Sequence, residues 1–510
     1  MKAAERVVFN TIILYIRLIV VLIIGLFTTR IVLDALGETN YGIYTLVAGV
    51  VGMLAVLQSA MSRTSMRYMS HSLGSGNEEL ISRTFNTTLF LHLIIGLAVV
   101  IFIEIGGYFM FRHLLDIPQS KLSDAKFVFH LMTLTTFVTI IAVPYDAVIN
   151  SHENLLALSV VDIIGAVLKL ALAIYLTFTD LNLLIIYGLG MFLVQLIMRI
   201  TKQQYSKKHY KECRVNFSKS DKPLSKEIMS FTGWNLFGSI ASISVTQVRS
   251  VLLNMFFGVN INASEGIARQ ASNHVNNVSV SLTRAINPQL VKSEGSGDRL
   301  KMLRITYMST KFSVLLFNLI AIPIIIEMSF LLKLWLKEVP EFSIEFAQLT
   351  LLSLLISKFT FEITNAIRAI GRIRQFQVIE TIILVCNIPV AYILFKAGYS
   401  PLSIYLVAIV FSIIASVFRL YIGKRLTEMN ISSFLIHGIY PTFLPLIIAS
   451  AVGIGLHFLL DESFTRLILI LVLCPTVMLI FIRYFGLTEY ELNKLGSITK
   501  TVSTRLFNGK

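Results

Sequence analysis

Charge is what this 510-residue chain has least of: Asp, Glu, Lys and Arg together make up only 14% of it. Soluble domains carry about 25%, so a water-facing globule of this size is excluded. Acidic residues are the scarcer sign, 29 against 44 Lys and Arg. Cysteine is nearly absent, and Cys213, Cys386 and Cys474 share no spacing, which argues against a disulfide framework or a zinc site. His92, His130, His274, His437 and His457 are scattered without ligand spacing and read as helix-packing residues. The chain has no GxxxxGK[ST], HExxH or Asp-x-Asp motif, and no polar stretch large enough for a nucleotide-sugar site. Neither an enzyme nor a cofactor or metal requirement is therefore expected. Asn-x-Ser/Thr matches at Asn86, Asn262, Asn277 and Asn430 fall in or beside apolar runs and read as chance.

Apolar residues are abundant, at 55% with a mean hydropathy of +0.75. Runs such as LIVVLIIGLF (18–27), LHLIIGLAVVIFIEIGGYFMF (91–111) and LILILVLCPTVMLIFI (467–482) recur along the chain. A span needs about 20 mostly apolar residues. The pattern predicts an all-α polytopic membrane protein with about fourteen spans, starting near residues 9, 41, 85, 127, 155, 182, 228, 261, 309, 345, 376, 401, 437 and 465. The eighth is the least hydrophobic. The first run has no small-x-small cleavage site and reads as a retained helix. With both termini on the cytoplasmic side, 31 of the 44 basic residues fall in cytoplasmic segments and 8 on the opposite side. The net charge of +15 is largely this orientation signal, with membrane lipids as its partner and no nucleic acid required.

Two short loops echo each other. Gly74-Ser75-Gly76-Asn77 matches Gly295-Ser296-Gly297-Asp298 at an offset of 221 residues, and Gly37 falls on Gly258 at the same offset. Phe9-Asn10 lies opposite Trp234-Asn235 at a slightly different one. Six spans separate the copies, so the reading is a duplication of parallel repeats, related by a pseudo-two-fold axis along the membrane normal. The expected organisation is an N-terminal lobe at 1–200 (spans 1–6), a basic cytoplasmic linker at 201–227 and a C-terminal lobe at 228–424 (spans 7–12). Residues 425–510 then hold spans 13–14 and a cytoplasmic tail.

Polar residues within spans fall on helical stripes: Asn10, Arg17 and Thr28 on the first; Asn235, Ser239, Ser242, Thr246 and Arg249 on the seventh; Glu265, Arg269, Ser272, Asn276, Thr283 and Asn287 on the eighth, with Arg284 alongside. A charge at the bilayer centre costs at least about 3 kcal/mol, so these faces must meet protein or a wet cavity. Arg17 either lines such a cavity or snorkels to headgroups. Arg249 and Arg269 either meet substrate or form structural pairs, Glu265 with Arg269 being one. Glu265, Glu362, Asp162 and Glu104 are the candidates for an ion- or proton-coupling role; the alternative is local pairing for Glu265, Glu362 and Glu104, and lobe structure or a polar lining for Asp162, whose direct pair with Lys169 seven residues on would be strained.

The stretches TTRIVLDALGETNYGIYTL (28–46), SRTSMRYMSHSLGSGN (62–77) and VPYDAVINSHEN (143–154) resemble the O-antigen and polysaccharide flippase branch of the multidrug/oligosaccharidyl-lipid/polysaccharide (MOP) exporter superfamily. Thr29-Arg30, Leu36-Gly37 and Tyr41-Gly42-Ile43-Tyr44 carry the likeness. The resemblance implies two six-helix lobes around a cavity that opens alternately to either side. It implies a bacterial inner-membrane flippase for an undecaprenyl-diphosphate-linked oligosaccharide, working beside polysaccharide polymerase and chain-length machinery. Arginine forks match phosphate oxygens, which assigns phosphate or acidic sugar to Arg17, Arg249, Arg269 and Arg284. Sugar hydroxyls then fall to Asn10, Asn235, Asn273 and Asn276. The alternatives are a drug or lipid II exporter of the same superfamily, and an integral-membrane polysaccharide polymerase or ligase.

Overall fold

The computed structural model describes residues 3–52, 55–113, 118–217, 221–336, 339–489 and 491–492. Part of the basic linker (218–220), the basic residue Lys337 and the C-terminal tail from 493 lie outside the described residues. The chain is about 90% helical, with no strands among those residues. The helices are α1 (Ala3–Gly52), α2 (Ala55–Ser75), α3 (Glu78–His113), α4 (Leu122–Ser151), α5 (Leu155–Leu176) and α6 (Leu183–His209). They continue as α7 (Lys222–Phe257), α8 (Val259–Gly295), α9 (Arg299–Ile326), α10 (Met328–Trp335), α11 (Ser343–Ile370), α12 (Arg374–Lys396) and α13 (Ser403–Thr427). Last come α14 (Ile431–Phe434), α15 (Tyr440–Leu459) and α16 (Phe464–Phe481).

Among the described residues, 12 helices are long and apolar enough to cross a membrane. Of the other two expected spans, α8 is a helix too polar to count on that measure, and the second runs from the second half of α1 into α2 with residues 53–54 outside the described residues. The chain is a multi-span membrane protein.

Two glycines set the breaks between first and second spans. Gly37 (φ 71°, ψ 166°) interrupts α1, and Gly258 (φ 85°, ψ −176°) separates α7 from α8. Both conformations are essentially restricted to glycine. The echoed turns also share their chemistry. Gly76 (φ 70°) and Gly297 (φ 77°) end α2 and α8 in the left-handed region. The Ser75 hydroxyl donates to the Ser72 carbonyl at 2.7 Å, as Ser296 donates to Ser293 at 2.9 Å. Asn77 and Asp298 then accept from the backbone N–H groups of Leu80 and Lys301, starting α3 and α9.

The chain divides into two compact units, Asn10–Leu236 and Phe237–Lys510, the latter joined by Met1–Phe9. Within the first, α2 packs on α3, α2 and α3 on α4, α4 on α6, and α5 on α6. In the second, α8 packs on α9, α8 and α9 on α11, α11 on α13, and α12 on α13. These are the same pairs in sequence order, with α4 and α11 as hubs. Helix starts keep the register: α3 and α9 begin at 78 and 299, and α4 and α11 at 122 and 343, both 221 apart.

The second unit also carries α15 and α16, packed on α9. Leu315, Ile322, Ala449, Met478 and Ile482 fill the contact. A buried ion pair closes each end: Lys311 Nζ to Glu491 at 2.6 Å, and Arg466 Nη2 to Glu327 at 3.0 Å. His457 Nδ1 reaches the other Glu327 oxygen at 2.8 Å.

Candidate functional site

In the first unit the polar interior of α1 is tied to its neighbours. Asn10 donates its amide to the Glu153 carbonyl at 2.8 Å, at a residue held in the left-handed region (φ 60°). That donor therefore staples α1 to the α4–α5 turn. Arg17 Nη2 lies 2.8 Å from Asp162 Oδ2 on α5. Asp162 is in turn 3.8 Å from Lys202 on α6, and Lys202 is 2.9 Å from Asp146 on α4. Lys169 faces Asp162 at longer range. The result is a chain of alternating charges across α1, α5, α6 and α4, in which Arg17 and Lys202 each have a carboxylate within 4 Å. Glu104 on α3 pairs with His130 on α4 at 2.9 Å. The exposed Ile101, Phe102, Ile105, Phe127 and Leu134 surround that pair in sequence.

The arginines of the second unit have different company. The guanidinium of Arg249 on α7 lies 5.4 Å from the centre of the Tyr405 ring on α13, a cation–π arrangement. Its Nε is buried and has no hydrogen-bond partner among the described residues. Arg269 and Glu265 on α8 also act on Tyr405. Glu265 does not close on Arg269. Its carboxylate accepts from the Ser250 hydroxyl on α7 at 2.8 Å, joining the two helices across the Gly258 break. Tyr405 is held in place by stacking on Phe346, centroids 4.4 Å apart.

Helical period alone places Glu265, Arg269, Ser272 and Asn276 on one broad face of α8, and burial divides that face. Glu265, Ala268, Ser272, Val275, Ser279 and Leu282 point into the unit, whereas Arg269, Asn273, Asn277, Val280 and Arg284 are exposed. Asn276 lies on the border, and its Oδ1 is buried with no partner among the described residues. On α7 the expected stripe runs from buried Asn235, whose amide donates to the Phe231 carbonyl at 3.1 Å, to exposed Ser242. Inside the unit, Glu362 on α11 accepts from Thr283 at 2.7 Å and from Asn365 at 2.9 Å.

Sequence reasoning missed several interior charges. Arg419 donates twice to Glu380, at 2.8 and 2.6 Å, and once to Ser357 at 3.0 Å, bracing α11, α12 and α13. It also missed Lys358, a buried lysine in mid-helix on α11. The linker is a built structure as well. Asn86 accepts from the Asn216 N–H at 2.7 Å, Thr87 accepts from the Asp221 N–H at 3.1 Å, and Arg83 pairs with Asp221 at 3.0 Å. His152 stacks on Tyr210 and lies 2.6 Å from Glu212. Burial alone would push the Glu212 carboxyl up, but hydrogen bonds from His152 and its own backbone, with the imidazole charge, hold it below the usual value.

Two units with a shared hub plan and equivalent glycine breaks define a duplicated helical membrane fold, and solved structures share it. A MATE in the bent conformation superposes with a TM-score of 0.72 at 13% identity, covering 85% of this chain and 96% of that one. An outward-facing multidrug resistance MATE family transporter of the MOP superfamily gives 0.70 at 14%, covering 84% and 96%. A MOP superfamily transporter from Pyrococcus furiosus, whose binding pocket is described as of reverse polarity suggesting a different function, gives 0.68 at 14%, with the same coverage. The chain shares the fold of these MATE structures. No protein-family model and no curated protein sequence matches it.

Proposed function

We propose that the chain is a flippase that moves an anionic lipid-linked oligosaccharide across the bacterial inner membrane by alternating access, with both termini cytoplasmic. The observation that carries this reading is the cationic, amide-rich face of the second unit. Arg269, Asn273 and Arg284 are exposed along α8, and Arg249 rests on an aromatic ring instead of a carboxylate. A cavity for cationic drugs calls for carboxylates, and the one in this cluster, Glu265, is engaged by Ser250. Diphosphate oxygens fit guanidinium forks, and hydroxyls of a sugar chain fit asparagine amides. In the first unit Arg17 takes part by exchanging Asp162 for phosphate as substrate enters. Undecaprenyl-diphosphate-linked oligosaccharide is the substrate this chemistry and the flippase-like motifs favour, and the chain performs no covalent chemistry on it.

Complementation tests the reading. The wild-type chain should restore surface polysaccharide in a flippase-deficient strain supplied with the matching glycosyltransferases. Arg249→Ala/Arg269→Ala, at matched expression, should lose at least tenfold, since each charged hydrogen bond contributes about 1.5–3 kcal/mol. Export of a cationic drug by the wild type, with no polysaccharide restored, would overturn the assignment.

A further inference from the structure

Lys358 is an anomaly in its surroundings. It lies on α11 twelve residues from Ile370, about 18 Å from the nearer helix end at 1.5 Å per residue. That is too deep for a lysine to snorkel to headgroups. It is 6% exposed. Its ammonium lies 5.5 Å from the Phe361 ring centre and 5.9 Å from that of Phe317. Among the described residues it makes no hydrogen bond and no ion pair within 4 Å. The charged group that acts on it is Glu362, one turn along the same helix.

Two buried cations on helices packed against α11 are paired elsewhere: Lys311 of α9 with Glu491, and Arg419 of α13 with Glu380 of α12. From α8, Thr283 donates to Glu362 and Ser279 meets Ser313, while Arg284, next to Thr283 in the chain, is exposed. Arg368, farther along α11, is acted on by Glu380 and Arg419.

The duplication shows that the fold does not need this pair. At the 221-residue offset, Lys358 and Glu362 correspond to Phe137 and Ile141 of α4. Helix α4 is the hub of the first unit, packing on its second, third and sixth helices as α11 does in the second. Two apolar side chains suffice there. Burying an amine and a carboxylate without closing them into an ion pair costs several kcal/mol that the apolar version avoids, so the pair has a use other than packing.

We infer that Lys358 and Glu362 form a proton-binding site inside the second lobe, and that its loading is coupled to the transport cycle. The coupling role rests on the transport reading above; the proton site does not. The step is a simple protonation. The Lys358 amine takes a proton from hydronium arriving from the aqueous side, giving –NH3+ and water, and the pair goes from a charge of −1 to 0. The neutral pair can close, Lys358 swinging to Glu362 in place of Thr283 or Asn365. That exchange releases α8 or the Asn365 amide and gives the lobe two internal states. A metal cation fits the site poorly, because both Glu362 oxygens already accept hydrogen bonds and a competing ammonium lies one turn away.

The test is a proton count on the purified full-length protein in detergent, titrated with acid and base between about pH 6 and 9, where ordinary exposed lysines, arginines and carboxylates hold their charge. Wild type should exchange one more proton per chain than Lys358→Met. Lys358→Arg, which keeps the cation and cannot release its proton, should lose the same step, and Glu362→Gln should move it. Superimposed wild-type and Lys358→Met curves would overturn the site. Polysaccharide display in the complemented strain reads the coupling: its dependence on external pH should disappear in Lys358→Arg. Unchanged pH dependence in that variant would overturn the coupling role alone. Failure of the wild type to display polysaccharide would count against the flippase reading and leave the proton count standing.

Discussion

The two lobes use the same helix pairs, glycine breaks and GSG turns, yet their polar interiors differ. In the first unit Arg17 and Lys202 are each within ion-pair distance of a carboxylate. In the second, Arg249 faces a tyrosine ring and Lys358 has two phenylalanines beside it. A duplicated scaffold in which Arg17 and Lys202 meet carboxylates while Arg249 and Lys358 do not separates what the fold requires from what was added to it. Shared features such as Gly37 and Gly258 are architectural. Under the proposed function, unshared ones, above all the cations of α7, α8 and α11, are the candidates for ligand chemistry.

The second copy also carries α15 and α16, and breaking their clamp should give the largest stability effect. Glu327 is fully buried between Arg466 and His457. Glu327→Ala leaves a buried guanidinium without its carboxylate, which costs about 3–5 kcal/mol. Thermal unfolding in detergent should show a correspondingly large drop in midpoint. The first unit, which lacks the appendage, should keep its protease resistance in that variant.

The shared breaks should respond alike. Gly37→Ala and Gly258→Ala each force a Cβ into a backbone region that only glycine occupies readily, at a cost of about 1–3 kcal/mol. Neither position has an atom within 4 Å of the added carbon, so the strain is in the backbone alone. Similar losses of thermal stability in the two variants would sharpen the equivalence; a loss at one position only would break it.

A smaller effect concerns the linker, which has no counterpart in the second unit. Because the folded Glu212 carboxyl is held below its ordinary value of 4.5, its contribution to docking is present above that pH. It is lost as pH falls through the lowered folded value. Limited proteolysis at the basic 207–214 segment should therefore stay slow from neutral pH down to about 4.5 and accelerate below it. Glu212→Gln should be cleaved faster at neutral pH.

Much of this architecture was legible before any coordinates. Hydropathy marks spans because lipid admits little else, and a four-residue turn identifies a repeat because Gly76 and Gly297 must both adopt positive φ. The polar stripes were half legible. Helical period grouped Ser272 and Glu265 with Arg269, but which edge of a broad stripe faces protein depends on neighbours the period does not contain. Lys311 with Glu491 and Glu327 with Arg466, 180 and 139 residues apart, carry no local signal at all. The resemblance assigns Asn10 to sugar hydroxyls; its amide donor goes to the Glu153 carbonyl, 143 residues away, a partner no local pattern announces. Lys358 is a single cation inside an apolar run, and its meaning emerges only when its duplicate position turns out to be phenylalanine.

The central claim is that Arg249 and Arg269 of the second lobe hold the anionic end of the substrate. Binding of undecaprenyl diphosphate to the purified protein, measured by native mass spectrometry, tests it most directly. Arg249→Ala/Arg269→Ala should weaken binding tenfold or more, by the loss of charged hydrogen bonds worth about 1.5–3 kcal/mol each. Arg17→Ala/Asp162→Ala, which removes a guanidinium already held by a carboxylate, should weaken binding by a clearly smaller factor. Equal binding by wild type and Arg249→Ala/Arg269→Ala, or loss confined to the Arg17→Ala/Asp162→Ala protein, would contradict the account.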